Sequence, residues 1–594
     1  MVDVPEVLQR SWLIALGDRA RRDRLPAGGV LAAVAATCAA SCPVVPGRTP
    51  LLAGAFGDPL PWSEVGPEPD AMLLGPDLVG QVAEVLTAPE VRRRGGVHHT
   101  PPELADRLTA AVIGPGAALG SVCDPSVGGG AFLLAAARRM VGAAASVRAV
   151  VERLAGVDVE PLAVAAAEAG LALFAAERGV TLVPSGLVVA DALGLPAGRF
   201  PLRPGAGYDV VIGNPPFGGQ LKEVTRASAD ERAARKARFG GAAGAYTDRS
   251  ALFLLLALEL VRDGGRVQLV LPRSILVARD AGAVRRQVRH VASLDAVWVD
   301  RDGSFDAAVG VCALTATRGG GAPATSVAVG WDRPAITVGQ PAEHDEGWGA
   351  LLAAAAGVPS VDPDGPALGS IAAATAGFRE QYYGLVPFVR ERADGGGMPL
   401  VTSGLIEPAE LLWGRVPCRF ARRRWDAPVV DRRAVADADV TLGDWVEARR
   451  RPKILVASQT RVIEAVVDVD GRLLPSVPVV SVEPADPADL WRVAAALLSP
   501  VATAWLLHHR AGSGLSDDTI RVSARSVTEL PLPTDHDCWA EAAELVERWH
   551  DDPSDRGRRR RFAAAAIAAY EPPPAAAADL GSWWEEHVER SVRA

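Results

Sequence analysis

The apolar run Asp209-Val210-Val211-Ile212-Gly213 stops at Asn214-Pro215-Pro216-Phe217. Such a run reads as a buried strand, and an open α/β sheet collects its chemistry where strands end. The Asn214 side-chain oxygen and the Pro215 carbonyl, held rigid by two prolines, form a pair of acceptors suited to a planar NH2 group. Phe217 adds a face on which a flat ring can stack. The lone pair of a nucleobase amine is delocalised into its ring. Two acceptors can draw that nitrogen toward tetrahedral geometry and free the pair for attack.

Further strand ends lie upstream. Val122-Cys123-Asp124-Pro125-Ser126-Val127-Gly128-Gly129-Gly130-Ala131-Phe132-Leu133 reads as a short strand, a glycine turn and the start of an Ala/Leu-rich helix. Glycines let the backbone approach a ligand closely. Leu154-Ala155-Gly156-Val157-Asp158 is a second strand ending in an acid suited to ribose hydroxyls, with a helix opening at Pro161. Leu187 to Ala192 is a third, with Asp191 placed to accept from an adenine amine. Taken singly, a glycine turn fits any nucleotide-binding α/β domain, and Asp158 or Asp191 fits a helix cap or turn. In this order they converge on one nucleoside.

The ordered set resembles the S-adenosylmethionine-dependent methyltransferases that act on adenine N6 in DNA, above all the TaqI-like enzymes and the modification subunits of restriction systems. In that family a Thr-Pro segment before the glycine loop contacts the methionine part of the cofactor, and His99-Thr100-Pro101-Pro102 stands in its place. Asp124-Pro125-Ser126-Val127-Gly128-Gly129-Gly130-Ala131-Phe132-Leu133 is similar to the family's Asp-Pro-x-x-Gly-x-Gly-x-Phe-Leu loop, with Val127 in place of the commoner Cys. The resemblance assigns cofactor contacts to Thr100, Pro101, Asp124, Pro125, Gly128, Gly130 and Phe132. It gives the ribose to Asp158, the adenine pocket to Val159 and the cofactor's exocyclic amine to Asp191, with Ala192 a further cofactor contact. Catalysis falls to Asn214, Pro215, Pro216 and Phe217, and Phe253, in the stretch Tyr246 to Phe253, becomes a wall of the target-base pocket. Phe305 to Thr315 resembles the last hairpin of the catalytic sheet.

The implied fold class is α/β, a Rossmann-like methyltransferase sheet with helices on both faces, an amino-terminal helical region and an α+β carboxy-terminal target-recognition domain. The expected boundaries are 1–90, 91–320 and 325–594, with Gly319-Gly320-Gly321 opening a linker. A chain of 594 residues has room for two to four domains. Its six cysteines have no paired metal-ligand spacing, so neither zinc nor a disulfide framework is indicated. The apolar stretch Gly28 to Ala40 is too short to span a bilayer, no leader segment is evident, and a cytoplasmic protein without membrane or metal is expected.

A net charge of −9 does not favour a polyanion, but the basic residues are clustered. Arg92 to Arg94 precede the Thr-Pro segment, and Arg449 to Arg451 and Arg556 to Arg561 form other groups. Arg422, Arg423 and Arg424 beside Trp425 are the preferred DNA contact, since arginines interleaved with aromatics serve both phosphate and base. Lys222 and Arg226, in the segment Gly218 to Ala245, are expected to close over an extruded nucleotide. The partner expected is double-stranded DNA, with other restriction or defence-system subunits an open possibility. Three alternatives stay open: a methyltransferase acting on a protein glutamine or an RNA base, a cytosine-N4 enzyme, and a recognition subunit active only within a larger complex.

Overall fold

The computed structural model describes residues 4–42, 58–87, 100–114, 120–141, 146–217, 229–244, 247–301, 303, 309–332, 334–341, 347–377, 379–392, 396–510 and 520–591. The chain divides into two compact units, Met1–Glu346 and Gly347–Ala594.

The first unit is built on one nine-stranded sheet. Its strands are β1 (Val122–Asp124), β2 (Leu154–Asp158), β3 (Leu187–Val189), β4 (Tyr208–Gly213), β5 (Val261–Pro272), β6 (Ala292–Val299), β7 (Val311–Arg318), β8 (Ala324–Val329) and β9 (Ile336–Gly339). They lie in the order β3-β2-β1-β4-β5-β7-β6-β8-β9. β1 to β5 run parallel, and β7 lies antiparallel between β5 and β6. β1, β2 and β4 are apolar and buried almost throughout, as strands covered on both faces must be. The chain order reverses between β1 and β4, so the crevice beyond their carboxyl ends is the topological switch point, where such sheets bind ligands.

One expectation about extent needs correction. Gly319 and Gly320 do not open a linker: Gly319 has φ +63° in the turn after β7, and β8 and β9 extend the sheet beyond the hairpin expected to be its last. The unit boundary accordingly falls at 346/347 instead of near 320. The amino-terminal helices pack on the same unit. Val30, Leu31 and Val34 of the helix Ala27–Ala40 and Leu78, Val79 and Val82 of the helix Pro76–Leu86 share one buried cluster with Leu162, Ala166 and Leu173. Those last three belong to the helix Pro161–Ala176, which has Pro161 in its first turn and is apolar around most of its circumference because it is covered on opposite sides.

The second unit is α+β. Ala372–Ala376, Val480–Pro484, Lys453–Val456 and Ala465–Asp468 make an antiparallel four-stranded sheet, and a second four-stranded sheet lies beside a short hairpin, Cys418–Phe420 with Arg423–Trp425. Lys453, fully buried, is paired with the Asp468 carboxylate and donates to the Arg449 carbonyl at 2.8 Å. The remainder is helical, with Trp549, Phe562 and Trp584 packed ring against ring. The helical stretch after Asp489 is two helices, Leu490–Leu498 and Pro500–Arg510, because Pro500 cannot donate to the preceding turn. Among the described residues no single helix is long and apolar enough to cross a membrane.

Candidate active site

At the end of β1 the chain enters the glycine turn with Gly128 at φ +49° and Gly130 at φ +91°, conformations that side chains rarely adopt. The turn is tied to the neighbouring strand end: Gly128 N–H donates to Asp158 Oδ2 at 3.0 Å, and Glu160 N–H donates to Asp158 Oδ1 at 3.0 Å. Asp124 is 1 % exposed and accepts from Ser126 N–H at 2.9 Å. Burial pushes its carboxyl up to about 7, opposed by the Ser126 N–H and reinforced by the Asp158 charge. Burial also raises Asp158, while the N–H groups of Glu160, Gly128 and Val159 work against it.

Asn214 follows directly on β4. Its Nδ2 donates to Thr100 Oγ1 at 3.0 Å across 114 residues of sequence. Thr100 is 5 % exposed and stands just before the helix Pro102–Val112, for which Pro101 is the N-cap. The bond fixes the amide plane and with it the direction of the acceptor oxygen. Three separated segments, the Thr-Pro pair, the glycine turn and the Asn-Pro-Pro tetrapeptide, thus border one cavity of about 230 Å³.

Thr100, Asp124, Pro125, Gly128, Phe132, Asp158, Val159, Asp191, Ala192, Asn214, Pro216 and Phe253 line that cavity. Pro101, Gly130 and Pro215, also expected there, are not among its lining residues. Phe217 departs from expectation: it is 7 % exposed and belongs to the buried cluster that includes Val270, Trp298 and Val311, so its ring is not offered to the cavity. Phe253 is the aromatic residue of the expected set that lines it together with Phe132.

Other lining residues were not foreseen. Arg249, at the start of the helix Arg249–Leu260, forms a 3.6 Å ion pair with Asp191, whose Oδ1 also accepts from Leu193 N–H at 3.1 Å. Ala83, Glu84 and Thr87 come from the amino-terminal helix Pro76–Leu86 and the residue after it. A signal for Glu84 exists in the sequence. Asp77, Gln81 and Glu84 repeat at helical spacing opposite Leu78, Val79 and Val82, which marks a polar stripe on an otherwise buried helix.

The expected DNA contacts divide. Lys222 and Arg226, like Arg92 to Arg94, His99, Tyr246 and Phe305, lie outside the described residues. Arg422, Arg423 and Arg424 are exposed on the hairpin. Trp425 is not a surface aromatic: it is 7 % exposed, its Nε1 donates to the Phe420 carbonyl at 3.1 Å, and it anchors the hairpin beneath the Arg423 guanidinium, 4.7 Å from its ring centre. Arg419 and Arg424 are direct cross-strand partners, a like-charge pairing that costs stability. Tyr383, 67 % exposed and edge-on to Tyr382, is the neighbouring exposed aromatic; Tyr382 packs on Phe420 and accepts from Ala421 N–H.

Residues 75–300 match the family profile for N-6 DNA methylases. Over that stretch the chain is similar to the N-6 DNA methylases. The match begins at the helix Pro76–Leu86 and covers the glycine turn, the three acidic strand ends and Asn214 to Phe217. The first unit has the strand order and the switch-point cavity described above, and the fold class is α/β with an α+β second unit following it. The chain is similar in structure to the type IIL restriction-modification enzyme MmeI, solved in complex with DNA, at 13 % identity over 88 % of this chain and 82 % of that one, TM-score 0.55. It also aligns with the type IIG restriction endonuclease BpuSI (13 % identity, 98 % and 80 % covered, TM-score 0.45). A third alignment is with a modification subunit of a type I restriction enzyme from Vibrio vulnificus YJ016 (17 %, 46 % and 55 %, TM-score 0.33). No curated protein matches the sequence.

Proposed function

We propose that the protein transfers a methyl group from S-adenosylmethionine to N6 of an adenine flipped out of duplex DNA, at a specific site and as part of a restriction-modification or defence system. The Asn214–Thr100 hydrogen bond carries this reading, because it holds the amine-binding amide on the wall of the same cavity that the glycine turn and Asp158 border.

The cavity fits the cofactor. Its described lining combines the carboxylates of Glu84, Asp124, Asp158, Glu160 and Asp191 with one guanidinium, an environment suited to a ligand with a sulfonium and an ammonium group. Backbone of the glycine turn allows close approach. Asp158 would take the ribose hydroxyls, Val159, Asp191 and Ala192 the adenine, and Thr100 the methionine end. Bound there, S-adenosylmethionine supplies a methyl group activated by its positive sulfur.

The residues of the chain do the rest. Asn214 Oδ1 and the Pro215 carbonyl accept the two N6 hydrogens of the extruded base and localise its lone pair; the strongly acidic proton that N6 sheds after alkylation passes to solvent water. Phe253, not Phe217, supplies the aromatic wall of the cavity as it stands. Flipping costs a few kcal/mol, drawn from contacts to the backbone of the DNA. We assign those contacts first to Arg422, Arg423 and Arg424; a polyanion there would also relieve the cross-strand repulsion between Arg424 and Arg419.

Asn214→Ala removes an interaction that strengthens toward the transition state. It should lower methyl transfer by about 10²–10³-fold while cofactor affinity, read by calorimetry, stays within about twofold of wild type. Turnover of the mutant at the wild-type rate on DNA scored for N6-methyladenine would overturn the reading.

A further inference from the structure

The helix Pro76–Leu86 meets the glycine turn backbone to backbone. A Cβ on Gly80 would stand 2.4 Å from the Gly129 carbonyl oxygen, and one on Gly129 would stand 2.6 Å from Gly80 Cα, so the contact admits no side chain on either partner. An ion pair holds the same juncture from the other side. Arg138, on the helix that follows the turn, bonds to Asp77 at 2.9 and 3.2 Å and to Asp106 at 3.1 Å. One guanidinium thereby joins the amino-terminal helix, the helix after the turn and the helix that Thr100 precedes. Farther out, Gln9 donates to Gln81 at 2.7 Å. The polar stripe of Asp77, Gln81 and Glu84 is thus committed one residue at a time: Asp77 to Arg138, Gln81 to Gln9, and Glu84, half-buried, to the cavity wall.

Glu84 has a definite place along that cavity. It also borders a smaller adjoining cleft with Thr100 and Gly129, a cleft that neither Asp158 nor Asp191 reaches. Glu84 therefore lies at the Thr100 end of the site and not at the nucleoside end.

We propose that the amino-terminal helix is a working wall of the cofactor site and that the Glu84 carboxylate receives the α-ammonium group of the methionine end of S-adenosylmethionine. The proposal rests on the cofactor reading above. A carboxylate held on a docked helix in a partly dehydrated cavity gives a charge-assisted hydrogen bond to that ammonium, and a neutral amide of the same shape does not. Docking backbone on backbone makes the distance between Glu84 and the glycine turn a fixed dimension of the site.

The test is titration calorimetry of the full chain with S-adenosylmethionine, S-adenosylhomocysteine and 5′-methylthioadenosine, which lacks the amino-acid end. Glu84→Gln should weaken the first two by roughly ten- to a hundredfold and leave methylthioadenosine within about twofold of wild type. Glu84→Asp, which keeps the charge, should recover part of the loss. Asp158→Ala should weaken all three, since each carries the ribose. Wild-type binding of S-adenosylmethionine by Glu84→Gln, with Asp158→Ala impaired, would overturn this inference and leave the cofactor reading intact. Equal loss of all three ligands in Glu84→Gln would also overturn it, by showing that Glu84 only holds the helix. Wild-type binding of all three by Asp158→Ala would instead remove the cofactor reading itself.

Discussion

Asp124 is buried at the floor of a cavity that we assign to a cation, and its ionisation is the most exposed consequence of that assignment. Its folded pKa, about 7, lies above the ordinary carboxylate value, so the neutral form favours the fold and ionisation costs stability as pH rises from the usual carboxylate range toward 7. A cationic ligand reverses the preference by favouring the carboxylate. Binding of S-adenosylmethionine near pH 6.5 should therefore release protons, and affinity should climb with pH up to about 7 and then level off. Asp158 on β2 is raised in the same direction and contributes to the release, whereas Arg249 lowers it and limits its share. Calorimetry in two buffers of different ionisation heat measures the proton count. Asp124→Asn should reduce it, and a count of zero in the wild type would show that ligand binding leaves the protonation of Asp124 unchanged, against this prediction. Phe217 and Phe253 illustrate what single residues conceal. Both are aromatic, both follow family motifs, and only packing decides which ring faces the cavity.

The helix Pro76–Leu86 shows how an element's role depends on one contact. Gly80→Ala places a methyl group where Gly129 already stands, and neither backbone can move without disturbing the turn that Asp158 holds. We expect a loss of roughly 1–3 kcal/mol in denaturant unfolding together with weaker cofactor binding. Gly75→Ala, with nothing within 4 Å of its Cβ, should change either quantity little. Equal behaviour of the two variants would mean that the helix does not position the turn. Elements of this kind were only half legible in the sequence. Strands of the parallel sheet read clearly, since burial on both faces makes them apolar runs and their polar ends stand out. The stripe Asp77, Gln81 and Glu84 was readable as a helix face, but which loop that face would meet depends on a glycine-to-glycine contact between segments some fifty residues apart. β8 and β9 were missed for a related reason: Gly319-Gly320-Gly321 has the composition of a linker, and only the pairing of β8 with β6 makes it a turn.

At the scale of the molecule, chemistry and DNA contact are assigned to different stretches of chain, residues 75–300 and the hairpin of the second unit. Replacing Arg422 and Arg424 together by Ala should weaken duplex binding and flatten its dependence on salt by about one unit per lost phosphate contact. The second unit should hold or slightly gain stability, since Arg424 stands directly across from Arg419. An unchanged salt slope in a folded double variant would move the contact elsewhere, and lowered stability would mark the arginines as structural. Cofactor affinity should not change, because every described residue lining the cavity belongs to the first unit. The hairpin alternates in a way that has a consequence for descent. Phe420 and Trp425 turn inward while Arg419, Arg422, Arg423 and Arg424 turn out. The inward pair secures the loop whatever the outward positions carry, so the outward set can drift from one lineage to another at little cost to folding. An enzyme built this way can change the address it reads while inheriting its reaction unaltered.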